Sequence, residues 1–280
     1  MAKIILSAFA DEHSDALVDQ LAALNSYGIE YLEPRFVDGK SIADLTPDEV
    51  TAMKAALDRY GVRISSIGSP IGKIKLDGDL EGHFAMARRV FETANALGTK
   101  YVRMFSFYPA DGKCITDCRD EVISGLTRLL DLADEYGVIL CHENEANIYG
   151  ERAEKCLDLL EHFGGRLKCV FDMGNFVFCN LDPEAAYKLL KPYIQYFHIK
   201  DACYEGAIVP PGKGDAKIGE ILHDFADGAE CDVIATLEPH LETFSGLRHL
   251  VGRKFENPYK FETKEAAFDE AVKLIKEIII

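Results

Sequence analysis

Eight times along the chain, a short apolar segment is followed by a longer amphipathic segment, and this repetition is the strongest constraint on the fold. The short segments are rich in β-branched and aromatic residues, as buried strands are. The long segments have the period of about 3.6 residues that is typical of helices packed on one face. The predicted strands cover residues 4–9, 29–33, 62–67, 100–105, 138–143, 167–172, 194–200 and 233–238. Helices are predicted between them, for example over 14–27, 47–60, 80–97, 118–136 and 151–163.

The ends of these segments carry the residues that helix termini favour. Gly28, Gly61 and Gly137 each follow a helical segment and precede a strand, where glycine adopts the left-handed conformation without a steric penalty. Thr46 and Asp182 stand before prolines and are predicted N-caps.

Strict alternation of strand and helix predicts a parallel sheet, because a tight turn cannot join parallel strands. Eight such units suit a single (β/α)8 TIM barrel of about 250 residues. We therefore expect one barrel domain over residues 1–280, with a doubly wound open sheet as the alternative. The longest irregular segment, residues 246–262, is a candidate to cover a site or a subunit contact.

Charge and cysteine usage exclude several classes of protein. The formal net charge of −16 would repel the phosphate backbone, so a nucleic-acid partner is not expected. No apolar run reaches the roughly 20 residues of a spanning helix, and Asp11 and Glu12 follow the N-terminal apolar segment where a cleavage site would stand. Because the eight cysteines are scattered without a CxxC pair, we expect reduced thiols in a cytoplasmic protein without a membrane partner.

Polar side chains cluster where the predicted strands end. In a barrel of this kind the chemistry lies at the carboxyl ends of the strands. The residues at or just after these ends are Glu33, Arg35, Arg103, His142, Glu143, Asn144, Glu145, Asp172, Asn175, His198, Lys200, Asp201, Glu238 and His240.

Four of these residues predict a metal site. Glu143, Asp172, His198 and Glu238 lie on four successive strands, so a closed barrel would bring their side chains together on one side of its mouth. In a low-dielectric environment, three carboxylates in a small space repel one another by on the order of several kcal/mol. One divalent cation would remove this repulsion. A carboxylate-rich set with a single histidine suits Mn²⁺ or Mg²⁺ and admits Co²⁺ or Zn²⁺; we favour Mn²⁺.

Several of these residues also have a simpler interpretation. Glu143 and Glu145 alternate along an extended chain, so one of them is expected to point inward, and we favour Glu143. The whole role of Asp172 could be to form the turn before Gly174. Glu33 and Arg35 could form a salt bridge at the rim that has no role in binding a ligand. His142 and His240 are equally consistent with structural roles.

The remaining polar residues are candidates for substrate binding. The segment "PPGKGD" at 210–215 follows the seventh strand, near the place where such barrels often bind phosphate, although its lysine is equally consistent with a solvated side chain. The full set of predicted substrate ligands is Glu33, Arg35, Arg103, Glu145, Asn175, Lys200, Asp201, Lys213 and His240.

Five motifs resemble those of the sugar phosphate isomerase/epimerase family, whose xylose-isomerase-like barrels include ketose 3-epimerases and relatives of endonuclease IV. They are "HEN" at 142–144, "FDMGN" at 171–175, "HIKD" at 198–201, "PPGKGD" at 210–215 and "LEPH" at 237–240. Each motif is weak alone, but their order on the last four strands is specific, and the resemblance covers essentially the whole chain.

The resemblance implies a metal held by Glu143, Asp172, His198 and Glu238 in an isomerase or epimerase of a sugar, sugar phosphate or related hydroxycarbonyl compound. In the ketose epimerases the residues that match Glu143 and Glu238 also transfer the proton, through a metal-stabilised cis-enediolate. The family further implies a homodimer or homotetramer. Asn175 and Glu145 stand where the epimerases often have histidine, so these two departures leave the substrate contacts and the reaction open.

Other functions stay open. A metal-dependent polyol lyase or dehydratase, or a barrel that only binds sugars, would keep the same ligands. An endonuclease-IV-like phosphodiesterase is a distant alternative, because those relatives bind three zinc ions with more histidines than these strand ends offer.

Overall fold

Nine strands form one parallel sheet in the computed structural model, which describes residues 2–204, 206–241 and 259–280. Of the predicted loop over 246–262, residues 246–258 lie outside the described ranges. The sheet strands are β1 (Ile4–Ala8), β2 (Tyr31–Leu32), β3 (Arg63–Ile64), β4 (Ile67–Gly68), β5 (Tyr101–Met104), β6 (Ile139–Glu143), β7 (Leu167–Asp172), β8 (Ile194–Ile199) and β9 (Val233–Leu237).

The sheet closes on itself, apart from one break. The first strand, β1, pairs in parallel with the last strand, β9, along its whole length. The predicted third strand is split, because β3 pairs with β2 whereas β4 pairs with β5, and Ser65 and Ser66 stand between them. This ring is consistent with a single (β/α)8 barrel. The doubly wound alternative is wrong, because the first and last strands of an open sheet do not pair with each other, as β1 and β9 do here.

Helices surround the ring within the described residues. They are α1 (Leu17–Tyr27), α2 (Pro47–Tyr60), α3 (Leu80–Leu97), α4 (Arg119–Tyr136), α5 (Ala153–Phe163), α6 (Met173–Phe178), α7 (Pro183–Leu190), α8 (Ile218–Gly228) and α9 (Lys264–Ile279).

The helix ends mostly follow the sequence prediction. Gly28, Gly61 and Gly137 all have positive φ at helix C-termini, and Thr46 forms a capping box with Glu49 at the start of α2. The first helix begins at Leu17, later than predicted, because the backbone of Ala16 is extended and forms the N-cap position.

Strand alternation fixes which side chains point into the barrel. Cys141, Val170 and Tyr196 form a buried cluster in its interior. Because successive side chains of a strand point to opposite faces, the residue two positions later on each strand faces the same interior, nearer its C-terminal mouth. Those residues are Glu143, Asp172 and His198, so these three predicted ligands lie directly above a buried, mainly apolar layer of side chains.

The other sequence expectations concern cysteines and membrane segments. Within the described residues, which include all eight cysteines, no disulfide bond is formed. Among the described residues there is no helix of the length and apolarity needed to cross a membrane.

Candidate metal centre

Four buried side chains converge at the C-terminal mouth of the barrel. Each of Glu143, Asp172, His198 and Glu238 offers one ligand atom, and these atoms all lie within 4.8 Å of one another. Glu143 and Asp172 are the last residues of β6 and β7, whereas Glu238 directly follows β9. The structure therefore brings the four predicted ligands together.

Carboxylates lie close to each of the two ring nitrogens of His198. Its Nδ1 is 3.1 Å from Glu143 Oε1 and 3.3 Å from Glu238 Oε2, yet it makes no hydrogen bond of acceptable geometry within the described residues. A buried nitrogen without a hydrogen bond costs about 1–3 kcal/mol. A divalent ion among these carboxylates would use this lone pair, so the donor set fits the predicted cofactor.

Asp172 has two roles, one for each carboxylate oxygen. Its Oδ1 accepts a 2.8 Å hydrogen bond from the backbone N–H of Asn175 and so caps α6, which is the turn-forming role that the sequence left open. Its Oδ2 lies 3.0 Å from Lys200 Nζ. Burial raises the pKa of Asp172 to about 7, against the opposing effect of Lys200. Capping and ligation are therefore compatible.

Lys200 places a buried ammonium group beside the ligands. Its Nζ lies 3.0 Å from Asp172 Oδ2, 3.1 Å from Asn175 Oδ1 and 3.3 Å from Glu238 Oε2. Burial opposes its charge, but Asp172 and Glu238 raise its pKa, so the group is held as a cation. Lys200 thus offsets part of the negative charge of the cluster.

Glu143 is held by Arg103, which was among the predicted substrate ligands. Arg103 Nη1 donates a 2.9 Å hydrogen bond to Glu143 Oε2, and the guanidinium lies 4.6 Å from the ring centre of Phe105. Burial alone would raise the pKa of Glu143, but His198 and Arg103 lower it to about 2. The carboxylate is therefore ionised at neutral pH.

Arg35 fills a second acidic cluster that shares Glu238. Its guanidinium lies 3.0 Å from Asp11, 3.1 Å from Glu12 and 2.8 Å from Glu238. Glu12, Glu238 and His240 have ligand atoms within 4.8 Å of one another, and the guanidinium already lies among them. Burial raises the pKa of Glu12 to about 8.

Sequence reasoning did not assign Asp11 and Glu12 to the site. They lie in a 3-10 turn, Ala10–Glu12, that begins after β1 and Phe9, so a search limited to the residues at the strand ends does not reach them. The simpler interpretation, a salt bridge between Arg35 and Glu33, does not appear among the described ion pairs, in which Arg35 pairs with Asp11, Glu12 and Glu238.

Glu33 is buried beside His198 rather than exposed at the mouth. Its side chain is fully inaccessible, and its oxygens contact His198, Tyr196 and Thr236. This placement does not favour the predicted contact with substrate.

Asp201 and Lys213 are not part of the convergent set. Asp201 is buried and accepts hydrogen bonds from the backbone N–H groups of Ala202, Gly212, Gly214 and Ala216, so it fixes the "PPGKGD" loop. Lys213 is exposed on that loop. The geometry therefore gives Asp201 a structural function.

Two further residues lie at the edges of the site. Glu145 is partly buried and pairs with Lys73 at 3.3 Å, a lysine that sequence reasoning missed because it follows the broken third strand. His142 points away from the mouth and contacts Ser106 Oγ at 2.9 Å. These contacts favour Glu143 as the inward-facing glutamate and a structural role for His142.

Comparison with known proteins agrees with the barrel fold. A family model described as xylose isomerase-like TIM barrel matches residues 21–278. No protein of curated function matches the sequence significantly.

Three solved structures illustrate the fold match. The probable 3-DHS dehydratase AsbF of Bacillus anthracis has a TM-score of 0.74 at 18% identity, covering 98% of both chains. A xylose isomerase-like TIM barrel protein of Mycobacterium smegmatis in complex with magnesium has a TM-score of 0.71 at 17% identity, covering 100% of this chain and 97% of its own. D-psicose 3-epimerase of Clostridium cellulolyticum H10 has a TM-score of 0.72 at 14% identity, covering 98% of both chains. At these identities the match shows the fold.

Proposed function

The chain belongs to the xylose isomerase-like TIM barrel family, and we propose that it is a divalent-metal-dependent isomerase or epimerase of a sugar, sugar phosphate or related hydroxycarbonyl compound. The observation that carries this proposal is the convergence of three buried carboxylates on His198, whose Nδ1 has no hydrogen-bond partner among the described residues. Epimerases and a dehydratase are among the structures that share the fold.

Glu143, Asp172, His198 and Glu238 would hold the ion. When bound, a divalent ion supplies Lewis-acid stabilisation of the negative charge that develops on a substrate oxygen. Three carboxylates and one imidazole favour Mn²⁺ or Mg²⁺, and the magnesium complex of the M. smegmatis structure supports an ion of this class.

Proton transfer is assigned to Glu143 and Glu238. Both are buried, and neighbouring cations lower the pKa of each despite burial, which favours the ionised carboxylate, the form that can accept a proton. One carboxylate would take the proton from the carbon next to the carbonyl, and the other would return a proton to the opposite face or the adjacent carbon. Glu145 is the alternative base, since it lies nearer the solvent.

The cationic side chains around the cluster would orient the substrate. Lys200, Arg35 and Arg103 carry N–H donors suited to hydroxyl, carboxylate or phosphate oxygens. Asn175 and His240 lie against the same carboxylates, at 3.4 Å from Glu143 and 3.2 Å from Glu238. Their position supports contacts with the polar groups of a small sugar-like molecule.

A dehydratase is the second candidate. The buried ammonium of Lys200 places an N–H donor beside the carboxylates, so a proton donor and a candidate base lie together, as acid–base elimination of a hydroxyl group would use them. The fold match with a probable 3-DHS dehydratase supports this alternative.

Deuterium exchange tests the proposed function. We expect that incubation with a panel of ketoses, aldoses and their phosphates in D₂O places deuterium on the carbon next to the carbonyl of one substrate. Addition of EDTA should abolish this exchange, and Mn²⁺ should restore it. NMR of the recovered sugars measures the exchange. Loss of water without exchange would favour the dehydratase. The absence of both exchange and water loss with every compound of the panel would contradict both proposals.

A further inference from the structure

Glu33 occupies the side of His198 that faces away from the predicted metal ligands. It directly follows β2, and its side chain is 0% exposed. Each of its two carboxylate oxygens lies 3.3 Å from His198 Nε2. Two hydroxyl groups also donate to it, Tyr196 at 2.9 Å and Thr236 at 2.8 Å. The fully buried carboxylate is therefore surrounded by donors.

We propose that Glu33 is a positioning residue that fixes the tautomer and the ring orientation of the metal ligand His198. This inference rests on the proposed metal centre. A carboxylate accepts hydrogen bonds and does not donate them, so Nε2 of His198 carries its hydrogen toward Glu33. In the neutral imidazole the lone pair then lies on Nδ1, the nitrogen that faces Glu143 and Glu238.

The orientation of the imidazole is fixed on more than one side. Phe9 and Tyr196 pack edge-on against it, with ring centres 5.1 Å and 5.5 Å from the imidazole centre. Glu33 adds the directional contact at Nε2. Rotation of the ring would therefore break a charged hydrogen bond inside a packed interior.

The same strand alternation that aims the metal ligands also aims the donors at Glu33. Tyr196 lies two positions before His198, and Thr236 lies two positions before Glu238, so each points into the barrel one layer below a ligand. The Tyr196 hydroxyl is further held by Ser66 Oγ at 3.0 Å. Glu33 is thereby fixed before any metal binds.

A carboxylate behind a metal-binding histidine increases the basicity of the ligand nitrogen as well as its orientation. Loss of such a partner typically weakens metal binding about 10- to 100-fold. Glu33 contacts His198 through Nε2 and is assigned no contact with the substrate, so its effect should appear in metal binding itself.

The test compares Glu33→Gln with Glu30→Gln, a matched change at an exposed glutamate three positions earlier that pairs with Arg63. Glutamine keeps the size of Glu33 and removes its charge. We expect Glu33→Gln to bind Mn²⁺ about 10- to 100-fold more weakly in an EPR titration, and Glu30→Gln to match the wild type. Equal affinity in all three proteins would overturn the assignment.

A second measurement needs no variant. In the wild-type protein loaded with Co²⁺, the Nε2–H proton of His198 should give a paramagnetically shifted ¹H resonance that exchanges slowly with D₂O, because it is buried against Glu33. Absence of that resonance in a metal-loaded protein would contradict the inference. If wild-type protein bound neither Mn²⁺ nor Co²⁺, the proposed function itself would fail, which distinguishes the two outcomes.

Discussion

Replacing Glu238 by glutamine is expected to abolish deuterium exchange into the substrate, with a loss of at least about 10²- to 10⁴-fold in rate. An amide cannot accept the proton that the carboxylate takes from carbon. The same change also removes an anionic ligand atom that lies 3.3 Å from His198 Nδ1.

The surroundings of Glu238 predict that this change also lowers the stability of the protein. Arg35 and Lys200 both donate to its oxygens, at 2.8 Å and 3.3 Å. An amide nitrogen in place of either oxygen would face a buried cation without an acceptor. Arg35 would keep Asp11 and Glu12, and Lys200 would keep Asp172, but each buried cation would lose one anionic partner, which is destabilising in a buried ion-pair network.

Two measurements separate the roles of Glu238 as base and as ligand. Metal content at saturating Mn²⁺ reports ligation, whereas deuterium incorporation reports proton transfer. Glu230→Gln, at an exposed position, is the matched control and should behave as wild type. Exchange at the wild-type rate in Glu238→Gln would remove this residue from the proton-transfer role.

Gly174→Ala is expected to lower the free energy of unfolding by about 1–3 kcal/mol, the usual cost of overpacking. A Cβ atom at this position would lie 2.5 Å from the carbonyl oxygen of Lys200 and 2.6 Å from its carbonyl carbon. Both are backbone atoms, so a side-chain rotation cannot relieve the contact. The start of α6 and the end of β8 would have to move apart.

This movement should also weaken metal binding, because Gly174 lies between Asp172 and Asn175 in the capped turn. Urea unfolding and Mn²⁺ titration measure the two effects. Gly228→Ala is the control, since a Cβ there meets no atom within 4 Å, and we expect it to be neutral or slightly stabilising. Equal stability of Gly174→Ala and wild type would contradict this account of the close contact between Gly174 and the Lys200 backbone.

Most of the architecture followed from local sequence patterns. Glycines at helix ends and the alternation of apolar and amphipathic segments determine where strands stop, and a closed parallel ring then places those ends together. The convergence of Glu143, Asp172 and His198 required only strand order and alternation. The break at Ser65 and Ser66 could not be predicted, because it depends on how β3 and β4 pair with different neighbours.

Individual side-chain roles were harder to predict, because they depend on contacts between distant parts of the chain. Glu33 and Glu143 both stand at strand ends, yet Glu33 lies behind the imidazole of His198 and Glu143 lies before it. Asp201 follows the same rule by position but binds the backbone of a loop. Asp11 and Glu12 enter the site through a 3-10 turn that has no distinctive sequence pattern.

Anomalous diffraction from crystals soaked in Mn²⁺ tests the central claim most directly. We predict a single manganese peak at the barrel mouth, bound by one carboxylate oxygen from each of Glu143, Asp172 and Glu238 and by Nδ1 of His198. An empty mouth at saturating Mn²⁺, or a manganese ion coordinated through other residues, would contradict the assignment of these four side chains as a metal centre.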